Sequence, residues 1–433
     1  MTGQDVAIPT ETELTAAQGA QPGKPVEGLA EAAGLGEAPS DQAQVFTAVP
    51  TTPPLLPRSL YGAEHEAYRR TVRAFMEKEV APYGEQFEHQ GHVPRELWNK
   101  AGEAGMLCAA IPEEYGGLGG NRLFSTILME EQARILSSAL GFMLHSDIVA
   151  PYILNYGSEE QKRKYLPRMA TGEIVGCIAM SEPGAGSDLQ GVKTRAEDRG
   201  DHYLLNGSKI FITNGYLANL TIVVAKTGNT GKGSRDISLL LVDSHSEGFT
   251  KGKPLKKMGM KGNDTAELFF NDVKVPKENL LGQEGEGFKM LMQELPWERL
   301  IIAIQAQAAT EAVFNLTREY VKERQAFGQS VVEFQTVRHK LAELHTEINV
   351  GRTFVDECLR QEVAHKLTPQ AASAAKYWVS DMCSRVLDQC VQLHGGYGYM
   401  WEYPVARAFV DNRAHRIYGG TNEIMKELIS RSL

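Results

Sequence analysis

The stretch HYLLNGSKIFITNG, His202 to Gly215, decides the fold class. It sets Asn206-Gly207, a strong short-range hairpin signal, between two runs rich in β-branched and aromatic residues, and so predicts two strands joined by a tight turn. Outward from it, LTIVVAK (220–226), ISLLLVD (237–243) and TAELFFNDVKV (265–275) repeat short apolar runs broken by Gly, Asn and Asp. No helix-length segment divides these runs. The connections should therefore be antiparallel, as in a small sandwich or barrel, rather than βαβ units.

Both flanks read as helical. In EHEAYRRTVRAFMEKEV (64–80) the apolar residues Tyr68, Val72, Phe75 and Val80 make one stripe on a charged helix. Pro94 opens another helix, which Gly105 closes, and Ser158 with Gln161 forms a capping box. Beyond Gly287, Phe334, Val337, Leu341, Leu344, Ile348, Val355 and Leu359 keep helical spacing, and a further helix runs from Thr368-Pro369 to Gly395. Helices of this length pack side by side. The expected fold is α+β and multidomain: an N-terminal helical domain (58–172), a central antiparallel β domain (173–282) and a C-terminal helical bundle (283–433).

Composition bounds the function. The chain has 433 residues, 42% of them hydrophobic, enough to bury substantial cores. A formal charge of −9 lacks the basic excess that neutralising a phosphate backbone requires, so no nucleic acid is expected as principal partner. No apolar run approaches a membrane span, and no integral membrane segment is expected. Residues 1–57 hold 8 of the 19 prolines, one aromatic residue, Phe46, and a charge of −6 from seven acids and Lys24. Such a stretch buries too little to offset its ordering entropy, and is expected to be a disordered acidic tail. It resembles neither a secretory signal nor an Arg-rich transit peptide, which points to the cytoplasm, or to the mitochondrial matrix in a eukaryote. The five cysteines are widely spaced and suit a reducing compartment with no metal centre.

Four segments stand out from plain packing. AMSEPGAGSD (179–188) is a turn whose small residues and Ser181 and Ser187 hydroxyls let a flat or anionic ligand approach; an ordinary surface loop is the alternative. In KIFITNG (209–215), Phe211 and Thr213 share one strand face, suited to a ring system or to simple cross-strand packing. RQAFG (324–328), Gln335 and VQLHGGYGYMWEYP (391–404) offer Arg324 for a pyrophosphate and Gln392 with Gly395-Gly396 for an adenosine half, or merely a solvated Arg and a helix end. In RIYGGTNEIMKEL (416–428) a Gly pair precedes the cap-forming Thr421 and Asn422, so free N–H groups of a new helix face whatever lies ahead.

Taken together these segments resemble the acyl-CoA dehydrogenase family, over residues 58–433. The resemblance implies FAD as cofactor, with Ile178, Met180, Ser181, Gly186, Ser187, Phe211, Ile212 and Thr213 around the isoalloxazine and ribityl chain. It implies that Arg324, Phe327, Gln335, Gln392, Gly395 and Gly396 contact the FAD of a neighbouring subunit, and that Thr421, Asn422 and Glu423 contact FAD as well. Ser187, Arg299, Gly419 and Gly420 are implied on the substrate, the Gly419 N–H at the thioester carbonyl. Many members carry their base as a Glu immediately before Gly-Thr of the last motif, where this chain has Gly419. The long-chain and isovaleryl branches place it instead in an E-R-L segment, here Glu298-Arg299-Leu300, which makes Glu298 the implied catalytic base. Pro296 and Trp297 are expected to break the helix locally and shield that carboxylate.

The implied reaction is α,β-dehydrogenation of a medium- to long-chain acyl-CoA to trans-2-enoyl-CoA, with an electron-transfer flavoprotein as acceptor and a homo-oligomer, a dimer of dimers. An oxidase using O₂, or a non-catalytic acyl-CoA/FAD-binding relative, are the alternatives. Lys289 stands where close long-chain relatives carry Tyr. The lysines at 251, 253, 256, 257 and 261 could attract CoA phosphates or form a solvated face.

Overall fold

A computed structural model describes residues 52–228, 230–231 and 233–433. Of the stretch expected to be a disordered tail, residues 1–51 lie outside the described residues. The last part of that stretch is not free: the Thr52 N–H donates to Asn315 Oδ1 (2.8 Å) and the Leu55 N–H to Asn349 Oδ1 (2.7 Å), so the chain lies against the bundle before residue 58.

The N-terminal third is helical, with α1 (Ala63–Phe75), α2 (Gly84–Gln90), α3 (Arg95–Glu103), α4 (Arg122–Arg134), α5 (Ala150–Tyr156) and α6 (Glu159–Ala170). The capping box forms as the sequence implies: Ser158 Oγ accepts from Gln161 N–H and Gln161 Oε1 from Ser158 N–H. Pro94 is the N-cap of α3, and Gly105, just beyond its end, has φ +68°.

The middle of the chain supplies β1 (Gly176–Ala179), β2 (Arg195–Asp198), β3 (His202–Thr213), β4 (Leu220–Lys226), β5 (Ile237–Asp243), β6 (Phe249–Lys251), β7 (Thr265–Pro276) and β8 (Leu280–Leu281). They pair as one sheet in the order β6-β7-β3-β2-β4-β5-β8, with β1 also on β4. Two expectations are corrected. Asn206-Gly207 is not a reversal but the middle of the twelve-residue β3, which pairs along its length with β7. Asn206 faces a bulge at Asn271-Asp272 and exchanges two 2.9 Å hydrogen bonds with Asp272, whose φ is +52°. Gly207 is required there because a Cβ would come within 2.4 Å of Thr194 Oγ1 on the neighbouring chain segment. The second correction concerns strand direction: β1 pairs with β4 in parallel, and β2 meets β4 in parallel through Arg195 and Lys226. Between β1 and β2 the chain leaves the sheet, which is why 180–194 can project as a loop.

β4 and β5 are buried on both faces, and their alternate residues enter different cores. Val223, Ala225, Leu240 and Val242 pack with Val72, Trp98 and Phe142. Ile222, Val224, Leu239 and Leu241 pack with Tyr152, Tyr165 and Met290. A run without polar alternation is what a strand covered on both sides requires.

The C-terminal bundle comprises α7 (Gly287–Glu323), α8 (Gln335–Val363), α9 (Pro369–His394), α10 (Pro404–Asn412) and α11 (Asn422–Ser430), with a small β9 (Gln325–Ala326), β10 (Gln329–Ser330) ribbon between α7 and α8. Thr368 caps α9 and Gly395, at φ +58°, ends it. By length and composition α7 could cross a membrane, contrary to the sequence expectation, but 78% of its most apolar window is buried inside the protein. Its apolar surface packs against α4, α8, α9 and α10 and, at its N-terminal end, against β5. Among the described residues, no His, Cys, Asp and Glu cluster could hold a metal.

Candidate active site

A cavity of about 640 Å³ opens where the sheet, the N-terminal helices and the bundle meet. The 180–194 loop forms one wall, and it is anchored from below. Lys209 of β3 is fully buried and donates to Met180 O (3.0 Å) and Glu182 Oε1 (2.9 Å). Glu182 in turn accepts the N–H groups of Lys193 (2.6 Å) and Thr194 (2.9 Å). Burial lowers the Lys209 ammonium to about 8, opposed by Glu182, and the pairing is what keeps an ion of each sign inside the protein. Above this anchor, Gly184 and Gly186 have open space where a Cβ would stand.

The second wall is the end of β3. A one-residue bulge between Lys209 and Ile212 puts Phe211 at φ +62° and turns its ring outward, 67% exposed, while Ile212 stays buried. Bulges re-aim side chains in this way. Ile178, Met180, Ser181, Gly186, Ser187, Phe211, Ile212 and Thr213 all line the cavity. The hydroxyls of Ser181, Ser187 and Thr213 have no hydrogen-bond partner among the described residues.

The third wall is α7. Glu298 lines the cavity and is 8% exposed; its Oε1 accepts from the Tyr152 hydroxyl at 3.0 Å. Burial raises its carboxyl to about 7, with the Tyr152 hydrogen bond and Arg299 opposing the shift and Glu294 adding to it. The expected helix break is absent, since α7 runs unbroken through Pro296. Trp297 is nevertheless buried beside the carboxylate, its Nε1 donating to Asp147 O (3.0 Å) and its ring lying under the Arg122 guanidinium (4.6 Å). Arg299 also lines the cavity, and burial lowers its ordinary basicity.

Opposite α7 stands the turn before α11. Gly419 and Gly420 have φ +67° and +90°, and their N–H groups have no acceptor among the described residues. A Cβ on Gly419 would lie 2.3 Å from Ile302 Cδ1. Ile302 is one helical turn beyond Glu298 on the same face of α7. A base carried at 419 and a base carried at 298 would therefore approach one region from opposite sides. The turn is fixed by the buried Lys376, which donates to Gly420 O (2.6 Å) and Asn422 Oδ1 (2.9 Å). Asn422, implied as a cofactor contact, is buried with its amide engaged by Lys376, Ser380 and Asp381, so only its main chain is free for a ligand. Thr421 caps α11 and Glu423 is exposed in its first turn, outside the cavity lining. Replacing Gly419 with Ala is expected to lower stability in thermal unfolding by about 1–2 kcal/mol, because the added Cβ must displace Ile302 and hold a left-handed φ.

Arg324, Phe327, Gln335, Gln392, Gly395 and Gly396 do not reach this cavity. They gather at the β9–β10 end of the bundle, where Phe327 is 96% exposed, Tyr399 is 90% exposed and Arg324 lies over the Tyr397 ring. Lys289 pairs with Glu286 at 2.7 Å and also lies outside the cavity, so it does not shape it. Of the lysine cluster, Lys257 lines the cavity while donating to Asn263 O, Lys251 is bonded to Tyr216 O and Ala218 O, and Lys261 caps Trp401. Tyr152, Lys209 and Lys376 were not legible as site residues. Only Lys209 carried a signal, an ammonium inside an otherwise strand-like run.

An outward aromatic ring, unpaired hydroxyls and an open glycine loop fit a flat, polar-edged ring system such as the flavin of FAD. The comparisons agree with this fit. Residues 62–173, 177–273 and 285–433 match the family models for the acyl-CoA dehydrogenase N-terminal, middle and C-terminal domains. The chain is 55% identical over 377 residues to the long-chain specific acyl-CoA dehydrogenase, mitochondrial, of Rattus norvegicus, covering 87% of this chain and 88% of that one. The crystal structure of an acyl-CoA dehydrogenase from Geobacillus kaustophilus superposes with a TM-score of 0.86 at 49% identity, covering 87% of this chain and 99% of that chain. A glutaryl-CoA dehydrogenase from Mycobacterium smegmatis in complex with FADH2 gives 0.80 at 28% identity, with coverage of 86% and 95%. The chain belongs to the acyl-CoA dehydrogenase family, FAD-dependent oxidoreductases that act on CH–CH donors.

Proposed function

We propose that the protein dehydrogenates medium- to long-chain acyl-CoA thioesters at the α and β carbons to give trans-2-enoyl-CoA, with Glu298 as the base. The observation that carries this reading is the buried Glu298 carboxylate facing the cavity, opposite a turn whose Gly419 and Gly420 N–H groups have no acceptor among the described residues. FAD, when bound, supplies the acceptor for the β-hydride. The chain's own residues do the rest. Glu298 takes the α-proton, and its raised pKa makes it a stronger base than a solvated carboxylate. The Gly419 N–H donates to the thioester carbonyl as negative charge develops there. Ile178, Met180, Ser181, Gly186, Ser187, Phe211, Ile212 and Thr213 hold the flavin end, and Ser187, Arg299 and Gly420 border the substrate.

The cavity surface contributed by Met129, Ala133, Leu136, Leu295 and Ala309 is apolar and suits an acyl chain. The exposed group around Arg324, Phe327, Gln335, Gln392, Gly395 and Gly396 suits the FAD of a second copy in a dimer of dimers, with Thr421 and Glu423 completing the cofactor contacts. Electrons then pass to an electron-transfer flavoprotein, in the cytoplasm or, for a eukaryotic protein, the mitochondrial matrix. The test is anaerobic titration of the flavin-loaded protein with acyl-CoAs of graded length. Bleaching is expected to be strongest with medium and long chains, and bleaching by short branched esters alone would overturn the chain-length reading. The bleaching rate is also expected to rise with pH through about 7, as Glu298 loses its proton, and a flat profile from pH 5 to 9 would remove Glu298 from the rate-setting step.

A further inference from the structure

The two oxygens of Glu298 have different surroundings. Oε1 accepts from the Tyr152 hydroxyl at 3.0 Å, whereas Oε2 has no partner among the described residues. Tyr152 lies in the first turn of α5, is fully buried and does not line the cavity. It therefore reaches the carboxylate from behind the wall. Its neighbour one turn on, Tyr156, packs against it with ring centroids 6.1 Å apart and donates to Gln293 Oε1 on α7 (3.1 Å). Asn155 holds Glu294 Oε1 at 2.8 Å. α5 thus holds three polar side chains, Gln293, Glu294 and Glu298, on two successive turns of α7.

Resting on the reading of Glu298 as base, we propose that Tyr152 is a positioning residue: its hydroxyl pins Oε1 behind the cavity wall and leaves Oε2 as the atom presented to the α-carbon. A carboxylate with one oxygen fixed cannot rotate both oxygens toward the substrate, so the α-proton meets one lone pair at a set distance. The other ionisable groups around Glu298 are Glu294 and Arg299 on its own helix, Tyr156 on α5, and Asp147 with Arg122 beyond Trp297. Lys376 lies near Arg299, and His415, Asp411, Glu427 and Arg431 line the same cavity. None of these donates a hydrogen bond to the carboxylate. Burial holds the Tyr152 phenol well above its ordinary range, so it remains a donor at every working pH.

The sign of its effect follows. A donor on the carboxylate favours the charged form, so removing it raises the pH at which the base works. The test uses the flavin-loaded protein and a long-chain acyl-CoA with sulfur in place of C3. In this probe the α C–H bond breaks, the proton goes to Glu298 and the electron pair stays on the thioester as an enolate, while no β-hydride is available. The enolate is read by its long-wavelength absorbance against the oxidised flavin. Y152F is expected to move the midpoint of this titration upward by about one pH unit. It should also slow acyl-CoA bleaching at pH 7 with little change in KM. Site-specific 3-fluorotyrosine at 152, a stronger donor of nearly the same shape, should move the midpoint downward, and decides the matter if Y152F binds flavin poorly. Midpoints that coincide with the parent's in both proteins would overturn the proposal. E298Q is run beside them: if it still forms the enolate, the base assignment itself fails, and if it is silent while both Tyr152 variants titrate like the parent, only the role of Tyr152 falls.

Discussion

Replacing Glu298 with Gln is expected to reduce substrate-driven flavin bleaching by roughly 100- to 10,000-fold, while flavin absorbance and acyl-CoA binding stay close to the parent's. The amide keeps the shape of the side chain and a hydrogen bond to Tyr152, but has no lone pair basic enough to take an α-proton. A second measurement separates this from a general disturbance. The Glu298 carboxyl is raised from about 4.5 to about 7 by burial, so its folded form favours the proton. Such a group supports the fold fully below its unfolded value and withdraws that support as pH rises through 7. Ionising it in place costs about 3 kcal/mol. E298Q escapes that cost, so its thermal midpoint should rise relative to the parent's between pH 5 and pH 8. A variant that lost activity by misfolding would not gain stability at high pH.

Replacing Glu130 with Gln is expected to be the more damaging change to the fold, by about 3–5 kcal/mol in urea or thermal unfolding. Glu130 is buried on α4 and meets Arg58 (2.9 Å), Arg69 (2.9 Å) and Arg352 (3.1 Å) at once. Those arginines come from the segment before α1, from α1 and from α8. Asp356 and Glu311 complete the group on the bundle side, and Glu131 on the helical-domain side. Burial alone would raise the Glu130 carboxyl; the three guanidiniums overcome it and hold the group far below the usual range. Without that charge, the three guanidiniums lose the anion they share and keep only the flanking Asp356, Glu131 and Glu311, in a place with little water. The linkage has the opposite sign to that of Glu298: stability from a depressed carboxyl is present above about 4.5 and lost as pH falls below it. The parent should therefore lose stability on acidification more steeply than E130Q. The exposed pair Lys340–Glu343 serves as control, and E343Q should leave the unfolding midpoint unchanged.

The order helix, sheet, helix was legible because each segment's period is set by which faces it buries. Caps were legible for the same local reason, and Ser158, Thr368 and Gly395 behave as their sequence context implies. What escaped was long-range. Asn206-Gly207 carries a hairpin's local chemistry, yet β7, more than fifty residues on, supplies a partner along both halves of β3 and a bulge to receive Asn206. The parallel β1–β4 pair likewise follows from a loop that returns to the same strand edge, which no local period encodes. In the site, residues on turns and strand ends were marked by small side chains and Gly. Tyr152 and Lys376 act from behind the walls, through one hydrogen bond and two respectively, and at those positions the sequence shows only an ordinary helix face. Pro296 illustrates the reverse error, since the packing of α7 on both sides holds a helix that the residue itself would weaken.

The segment from Thr52 to Arg58 closes the molecule on itself. Its hydrogen bonds to Asn315, Asn349 and Asp356 join residues 263, 294 and 298 positions apart. Contacts of such separation are made after most of the chain has already collapsed, because the entropy of closing so long a loop is repaid only once the bundle exists to receive it. Removing them should therefore leave the folding rate nearly untouched and quicken unfolding instead. The strap acts as a latch on the finished fold: its worth lies in how long the native protein persists, more than in how fast it is reached.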